Sequence, residues 1–430
     1  MPFLKQKYFS GVELFLFLIL LVYSILKANA HGDDINAYLH VSELLFQQKN
    51  IYADTGLNPY QYSPLFAYLI HPLTLLPIEI ARILWAILNF LFLLRLWMLV
   101  KNILLINFPL PKHFISLFLF VLLLLSFDSF NNNLILGQIT LLVLWLSIEG
   151  LYQVILKKKN SLGAFWIALG INIKIIPVLA LFYLLFKQRF LAVGIVAAFF
   201  IGTLIGPSLV LGHQYNIDLL SKWKENTPLL QKGSTFENNN THHSLSAIFP
   251  GYFHDFASPE DNNFEGFQRK IVYLSDTSLT ILLQVSRLLL LLSFLAIIFY
   301  QRKKRKQQAL YIWWEIAYLL LFSFLVFPNQ PRYTLFYFFP ACAYLLFFIF
   351  LLLYSKDKAS FRLKTVAVLA SFIMLLLASM GRDLIGRYLI NLLDFYHIPG
   401  LLFIVTLGLL FWIKPNKLLA LESAINKHKN

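Results

Sequence analysis

The stretch VELFLFLILLVYSILKANAHGDDINAY, residues 12–38, joins a long apolar run to two adjacent carboxylates. The run over 12–30 is close to the roughly 20 residues that a helix needs to cross the hydrocarbon core of a bilayer. It is too long for the apolar region of a secretory signal, and no soluble domain follows KANAHG, so we predict a retained transmembrane helix. Asp33 and Asp34 then lie where the chain leaves the membrane.

Composition places the whole chain in the membrane class. Of its 430 residues 59% are hydrophobic and only 13% are charged, and one soluble core could not bury so much apolar surface. We predict an all-α polytopic membrane protein, a single domain over residues 1–430, with about twelve transmembrane helices. The predicted spans are 9–28, 79–100, 113–128, 134–154, 161–174, 176–187, 190–211, 277–300, 309–327, 333–354, 364–380 and 398–413.

The positions of Lys and Arg predict the orientation of these helices. Short cytoplasmic loops collect cations, and placing clusters such as 157–159 and 302–306 inside makes both termini cytoplasmic, including a tail at 415–430. The net charge of +15 is then a cytoplasmic-face signal that favours contact with membrane lipids, and it requires no nucleic-acid partner. We predict a multi-pass protein of the plasma membrane.

Two apolar segments interrupt a simple succession of spans. Residues 63–77 are too short to cross the bilayer and are bracketed by prolines, which predicts a re-entrant or surface-lying element. In ALGINIKIIPVLALF, residues 168–182, Lys174 and Pro177 break a long apolar stretch. This pattern predicts a turn between two helices at the outer face.

The predicted extracytoplasmic side holds most of the polar residues. It comprises residues 29–78, the turns 129–133, 172–177 and 328–332, a long loop over 212–276, and the segment 381–397.

The first of these outer segments begins with two carboxylates that need not share a role. Asp34 lies at helical spacing with the apolar residues that follow it, so we predict a short amphipathic helix at the outer interface. One aspartate would serve as the N-cap of that helix. The other has no evident structural task, and a carboxylate held beside apolar groups is a stronger base than one in bulk water. Of the two, Asp34 is the candidate catalytic base.

The order of motifs along the chain resembles glycosyltransferase family 87. The motifs, in order, are DINAY at 34–38, YQYSPLFAYLIHPLTLLP at 60–77, LILGQITLL at 134–142, ALGINIKIIPVLALF at 168–182 and NNNTHHSL at 238–245. Members are GT-C-fold membrane enzymes, similar to mannosyltransferases that use polyprenyl-phosphate mannose. The resemblance extends over about residues 10–340 and implies a pair of juxtamembrane helices in the first outer loop, within 35–78.

The resemblance implies an inverting transfer of a hexose, with mannose as the first candidate, from a lipid-linked sugar donor to a glycan or glycolipid acceptor. It implies Asp34 as the base that takes the acceptor proton. Lys174 and Arg332 are candidates for the charge of the leaving phosphate. Candidates for contacts with the sugar or the acceptor are Tyr38, Tyr62, Gln138, Asn172, Asn240, His242, His243 and Tyr333. No metal and no cofactor are expected beyond the donor itself, since no Cys/His group has zinc-like spacing.

Several of these residues have simpler explanations. Lys174 can snorkel to the interface or satisfy carbonyls at the broken helix. Gln138 near a helix end suits a packing hydrogen bond, and histidines in a polar loop are commonly solvated.

Other functions also stay open. In FPNQPRYTLF, Tyr333 stands about where relatives closest to the family's mannosyltransferases carry a histidine, so another hexose or a pentose is possible as the sugar. Interrupted helices around a lysine would also suit a transporter or a lipid flippase, although the sequence has no inverted repeat. An envelope polysaccharide polymerase or ligase would act at the same face, but such enzymes usually use several arginines in their long loop, and 212–276 offers only Arg269.

Overall fold

The computed structural model describes residues 9–30, 32–53, 60–105, 112–226, 236–254, 267–300, 308–354 and 361–427. The regular structure within these ranges is helical, and none of the described residues forms a strand. This confirms the predicted all-α fold. The basic cluster at 302–306 and the acidic residues at 255–265 of the long predicted loop lie outside the described residues.

Helices fill the first half of the chain, with short turns between many of them. In order they are α1 (Gly11–Lys27), α2 (Asp33–Phe46), α3 (Pro64–Ile70), α4 (Ile78–Val100), α5 (Lys112–Leu136), α6 (Thr140–Leu151), α7 (Asn160–Ile173), α8 (Val178–Phe186), α9 (Phe190–Ile205), α10 (Ser208–Leu211) and α11 (His213–Asn226). A 3₁₀ turn, His71–Leu75, follows α3, and π-helical turns extend α4 over Lys101–Leu105 and α6 over Tyr152–Leu156.

The second half continues the pattern after the long predicted loop. Its helices are α12 (Leu245–Phe253), α13 (Asp276–Tyr300), α14 (Gln308–Val326), α15 (Phe339–Tyr354), α16 (Phe361–Ala378), α17 (Arg382–Phe395), α18 (Ile398–Trp412) and α19 (Pro415–Lys427). A 3₁₀ segment, Arg332–Phe338, leads into α15.

The chain forms two compact units, each assembled from separate stretches of sequence. The first unit comprises Phe15–Trp97 and Asn131–Ser234, and the second comprises Met1–Leu14, Met98–Phe130 and Thr235–Asn430. The first unit therefore holds most of α1 to α4, the C-terminal end of α5, and α6 to α11. The interpretation of 1–430 as a single domain stays a prediction.

Small residues let α6 and α7 approach each other closely in the first unit. A Cβ atom added at Gly163 would lie 2.5 Å from the carbonyl oxygen of Gly150, and one added at Gly150 would clash with Ile167. Close backbone approach at small residues is a common way for membrane helices to gain van der Waals contact. The crossing fixes the course of α7, whose C-terminal end leads into Lys174.

Seven helices among the described residues are long and apolar enough to cross a membrane, or up to eight if α17 and α18 form one bent span. These helices confirm a polytopic membrane protein, but the count of twelve spans is not confirmed. The other predicted spans correspond to α1, α6, α7 and α8, which are shorter helices. Of these, α8 has 9 residues, well below the roughly 20 that cross the hydrocarbon core.

The connecting segments show one agreement and one correction. Within residues 63–77, α3 and the 3₁₀ turn after it are too short to span the membrane, as predicted. The re-entrant or surface-lying position of this element stays a prediction. The predicted turn at 129–133 is wrong, because α5 continues through the polar residues there and ends at Leu136. The long predicted loop also contains regular structure, since α11 and α12 both lie within 212–276.

Candidate active site

Asp34 is held in the first turn of α2, in the first unit. The helix begins at Asp33, and the residue before it, Gly32, adopts a left-handed backbone with φ of 85° and makes no side-chain cap hydrogen bond. The predicted aspartate N-cap is therefore wrong, because the chain enters the helix through a conformation that favours glycine. Asp33 is exposed, whereas Asp34 is buried with 9% of its surface accessible. Both carboxylates gain from the positive end of the helix dipole.

Gly137 brings a second element to this turn. With φ of +72° it ends α5, while the amides of Gly137 and Gln138 donate to the carbonyls of Leu134 and Asn133. These two bonds define a Schellman motif, in which a glycine commonly occupies the left-handed position. A Cβ on Gly137 would lie 2.7 Å from the side chain of Ile35 in α2, so the close approach of the two elements also requires glycine.

Two further hydrogen bonds tie the end of α5 to its surroundings. The amide of Gly32 donates to the carbonyl of Ile135 at 2.8 Å, and the indole N–H of Trp85 donates to the carbonyl of Gly137 at 2.8 Å. The backbone that leads into Gln138 and into Asp34 is therefore fixed by hydrogen bonds that involve neither side chain.

Gln138 lies directly against Asp34. Its side chain is 2% exposed, and its Nε2 donates a hydrogen bond to the Asp34 carboxylate. The hydroxyl of Tyr38 lies 3.5 Å from Gln138 Oε1, and the hydroxyls of Tyr38 and Tyr62 are 3.2 Å apart. The rings of Tyr38 and Tyr62 pack edge to face with centroids 5.4 Å apart. Residues from three motifs that are widely separated in the sequence are thus connected to the Asp34 carboxylate by hydrogen bonds in series.

Lys174 occupies the break between α7 and α8, outside the helices that are long enough to span. Its backbone is extended, with φ of −145° and ψ of 131°, which ends α7. Burial lowers the pKa of Lys174 to about 8, while the negative charge of Asp34 acts in the opposite direction. The ammonium group therefore interacts electrostatically with the candidate base.

Tyr62 and its neighbours Tyr60 and Tyr52 stay neutral at physiological pH. Burial is the main cause that raises the pKa of Tyr62, and the charge of Asp34 adds to it, while the hydrogen bond with Tyr38 acts against it. Burial also raises the pKa of Tyr60 and of Tyr52. A neutral phenol donates hydrogen bonds and is a poor base, so Asp34 is the group best suited to accept a proton.

Asn172 does not join this cluster. Its side chain is fully buried, and Nδ2 donates to the hydroxyl of Thr203 and to the carbonyl of Phe200, both on α9. These contacts link α7 to α9.

Several of the other predicted site residues lie in the second unit. Arg332 forms a bidentate pair with Asp394, with Nε 2.7 Å from Oδ2 and a terminal nitrogen 2.9 Å from Oδ1. Another Arg332 nitrogen donates to the carbonyl of Met380 at 2.9 Å. His243 is fully buried, and its Nε2 lies 3.2 Å from Oδ1 of the same Asp394. Burial lowers the pKa of His243, and the adjacent Asp394 opposes that effect.

The segment around His243 is fixed by a further set of polar contacts. The Nδ1 of His242 lies 3.3 Å from the Glu237 carboxylate, and Asn240 accepts a hydrogen bond from Arg269. Tyr333 follows Arg332 in the 3₁₀ segment and is partly buried. The sequence reasoning missed Asp394 and its contacts, although this acid stood in the predicted outer segment 381–397.

Comparison with known proteins identifies the family. The profile of glycosyltransferase family 87 matches residues 60–328. The chain belongs to glycosyltransferase family 87. No curated protein and no solved structure matches it.

Membership shows that the protein is a membrane-associated glycosyltransferase, as the order of motifs indicated. The family 87 match includes Gln138, which donates to Asp34, and Tyr62 and Lys174, which interact electrostatically with it. It also includes the segment with His242. Asp34 precedes the matched residues and joins this group only through the fold.

Proposed function

We propose that this family 87 enzyme transfers a hexose, with mannose as the first candidate, from a polyprenyl-phosphate carrier to an acceptor hydroxyl. The acceptor is a lipid-linked or glycan molecule at the extracytoplasmic face of the plasma membrane, and the anomeric carbon is inverted. The observation that carries the proposal is the buried Asp34 carboxylate, bound by Gln138 and influenced electrostatically by Lys174.

The arrangement supports a direct displacement. Asp34 takes the proton of the acceptor hydroxyl while that oxygen forms a bond to the anomeric carbon, and the bond from this carbon to the phosphate oxygen breaks. The lipid phosphate departs with the bonding electron pair and gains negative charge. A protonated lysine near the base is suited to meet that charge, because charge-assisted hydrogen bonds to phosphate are among the stronger ones in proteins.

The two cations proposed for the phosphate differ in their surroundings. The guanidinium of Arg332 is bonded to Asp394 and to backbone carbonyls within the second unit. Lys174 lies in the first unit and interacts electrostatically with the candidate base. We therefore propose Lys174 as the phosphate contact, while a phosphate role for Arg332 stays a prediction from the sequence.

The sugar and the acceptor would meet polar and aromatic groups. Tyr38 and Tyr62 offer a hydroxyl pair and aromatic rings next to the base. A sugar or acceptor contact by Asn240, His242, His243 or Tyr333 stays a prediction from the sequence. The proposal requires no metal ion.

The test uses purified full-length protein with a radiolabelled polyprenyl-phosphate mannose and an extract of lipid-linked acceptors. Wild-type protein should form a labelled glycolipid. Asp34→Asn should lower the rate by about 10²- to 10⁴-fold, the usual contribution of a general base, with unchanged expression.

Asp33→Asn is the matched control, because Asp33 is exposed in the same helical turn, and it should keep most of the activity. Near-normal turnover by Asp34→Asn would exclude Asp34 as the base. Transfer from a nucleotide sugar in place of the lipid donor would overturn the proposed donor, and movement of the intact lipid without transfer would favour a flippase.

A further inference from the structure

A series of hydrogen-bonded side chains leads from Tyr62 to the Asp34 carboxylate. Tyr62 contacts Tyr38, Tyr38 contacts the oxygen of the Gln138 amide, and the nitrogen of that amide contacts Asp34. An ionised carboxylate only accepts hydrogen bonds, so the Gln138 amide must turn its NH₂ group toward Asp34. Its oxygen then faces Tyr38, whose hydroxyl must donate.

The direction of the remaining bond follows from the same reasoning. Since Tyr38 uses its only proton toward Gln138, the hydroxyl of Tyr62 donates to the oxygen of Tyr38. Burial keeps the phenol of Tyr62 protonated by raising its pKa, so it can fill this role. All the donors in the series therefore point toward Asp34, an arrangement that favours the charged form of the carboxylate.

The backbone around Gln138 leaves little freedom for a different contact. Gly137 ends α5 against Ile35, and its carbonyl accepts the indole proton of Trp85. The amide of Gln138 itself is bonded to the carbonyl of Asn133 at 2.9 Å. A side chain placed so firmly, and 2% exposed, is suited to orient a neighbouring group and is poorly suited to follow a mobile sugar.

We propose that Gln138 is a positioning residue, which orients the Asp34 carboxylate and keeps it ionised. This role replaces the sugar contact that the sequence predicted for Gln138. The proposal rests on the proposed function in one respect, the role of Asp34 as base. Its physical content is that an amide donor fixes the rotamer of the carboxylate and favours its charged form.

The decisive variants are Gln138→Met and Gln138→Glu, which keep the length of the side chain. Gln138→Met removes the donor, so kcat should fall about 100-fold, the effect of displacing a catalytic group by about 1 Å. The KM for the lipid donor should change less than about twofold, and the acid limb of the pH profile of kcat should move to higher pH.

Gln138→Glu provides a conditional rescue. Its carboxyl donates a hydrogen bond to Asp34 only while it is protonated, so this variant should exceed Gln138→Met in activity near about pH 5. By about pH 8 both carboxylates are ionised and repel each other, and the advantage should disappear. A residue that only fills space would not give rates that depend on pH in this way.

Gln153→Met is the matched control. Gln153 is also a buried glutamine of the first unit that donates to a carboxylate, with Nε2 2.6 Å from Glu149 Oε1. Its replacement should lower stability without moving the acid limb of the transfer reaction.

A second measurement separates this proposal from the proposed function. Infrared difference spectra of each protein against its Asp34→Asn counterpart report the carboxylate titration without any turnover. We expect the pKa of Asp34 to be higher in Gln138→Met than in the wild type. A raised KM with unchanged kcat and unchanged titration would overturn the positioning role, whereas a shifted titration in a protein that transfers no sugar would overturn only the proposed reaction.

Discussion

Lys174 shows a conflict between burial and charge at a single residue. A lysine left at the bilayer centre is unfavourable by roughly 2.5–3.5 kcal/mol, so it must reach the interface or interact with an anion. In the fold it lies at the break between α7 and α8, where burial lowers its pKa to about 8 and Asp34 acts in the opposite direction. The ammonium group is thus charged at neutral pH, but its pKa lies only slightly above that pH.

The pKa of Lys174 predicts how affinity for the donor changes with pH. The charged form of Lys174 is present below about pH 8, so affinity for a polyprenyl-phosphate donor should be highest there and decline as pH rises through that value. Lys174→Gln should weaken donor binding by roughly 10- to 100-fold at neutral pH, the loss of one charge-assisted hydrogen bond. Binding titrations from about pH 6 to 10 measure both effects.

Lys174→Arg distinguishes charge from shape. Arginine stays protonated over the whole range, so this variant should recover part of the affinity and lose the decline above pH 8. If well-inserted Lys174→Gln protein binds the donor as the wild type does, Lys174 serves only to anchor the helix break.

Gly137 is the decisive residue at the scale of the elements, because it ends α5 and lets that helix contact α2. Gly137→Ala should destabilise the protein by about 1–3 kcal/mol from backbone strain alone, and more because Ile35 must also move. It should also reduce sugar transfer, since the shift displaces Gln138 and Asp34. Thermal unfolding in detergent and the transfer assay measure the two consequences.

Gly212→Ala is the control for this prediction. Gly212 also has a positive φ, of 92°, but a Cβ there would meet no atom within 4 Å. It should also lose stability from strain but retain transfer activity. Equal activity in both variants would show that the contact of α5 with α2 is unimportant for the site.

The same elements show how far the sequence determines the fold. Apolar length predicted the long helices well, since burial in lipid requires it. Polarity misplaced the end of α5, because Asn133 is buried in the helix and the stop depends on Gly137. The neighbourhood of Asp34 was partly predictable, as its motifs were visible, but the pairing of Gln138 with Asp34 depends on a contact between distant segments. The pairing of Asp394 with Arg332 and His243 could not be predicted, because these partners lie far away in the sequence.

At the scale of the whole molecule, the net charge of +15 has to be distributed across a bilayer. Each of the two units contains residues from distant parts of the chain, so the net charge of the whole chain does not give the charge of either unit. The charge of the short loops does predict orientation, because positively charged loops are retained on the cytoplasmic side. The predicted outer face carries Asp34 and Lys174, which makes orientation a condition of the proposed chemistry.

Cysteine labelling tests that orientation in intact cells. Asn50 follows α2 on the predicted outer side and Lys158 belongs to the basic loop before α7, and both residues are exposed. Asn50→Cys should react with an impermeant thiol reagent from outside, while Lys158→Cys should react only after the membrane is permeabilised. The native Cys342 is buried, so its background is expected to be low, and Cys342→Ser removes it. The reverse pattern would place Asp34 on the cytoplasmic side, where a nucleotide-linked sugar would be available, and would contradict an extracytoplasmic lipid-donor reaction.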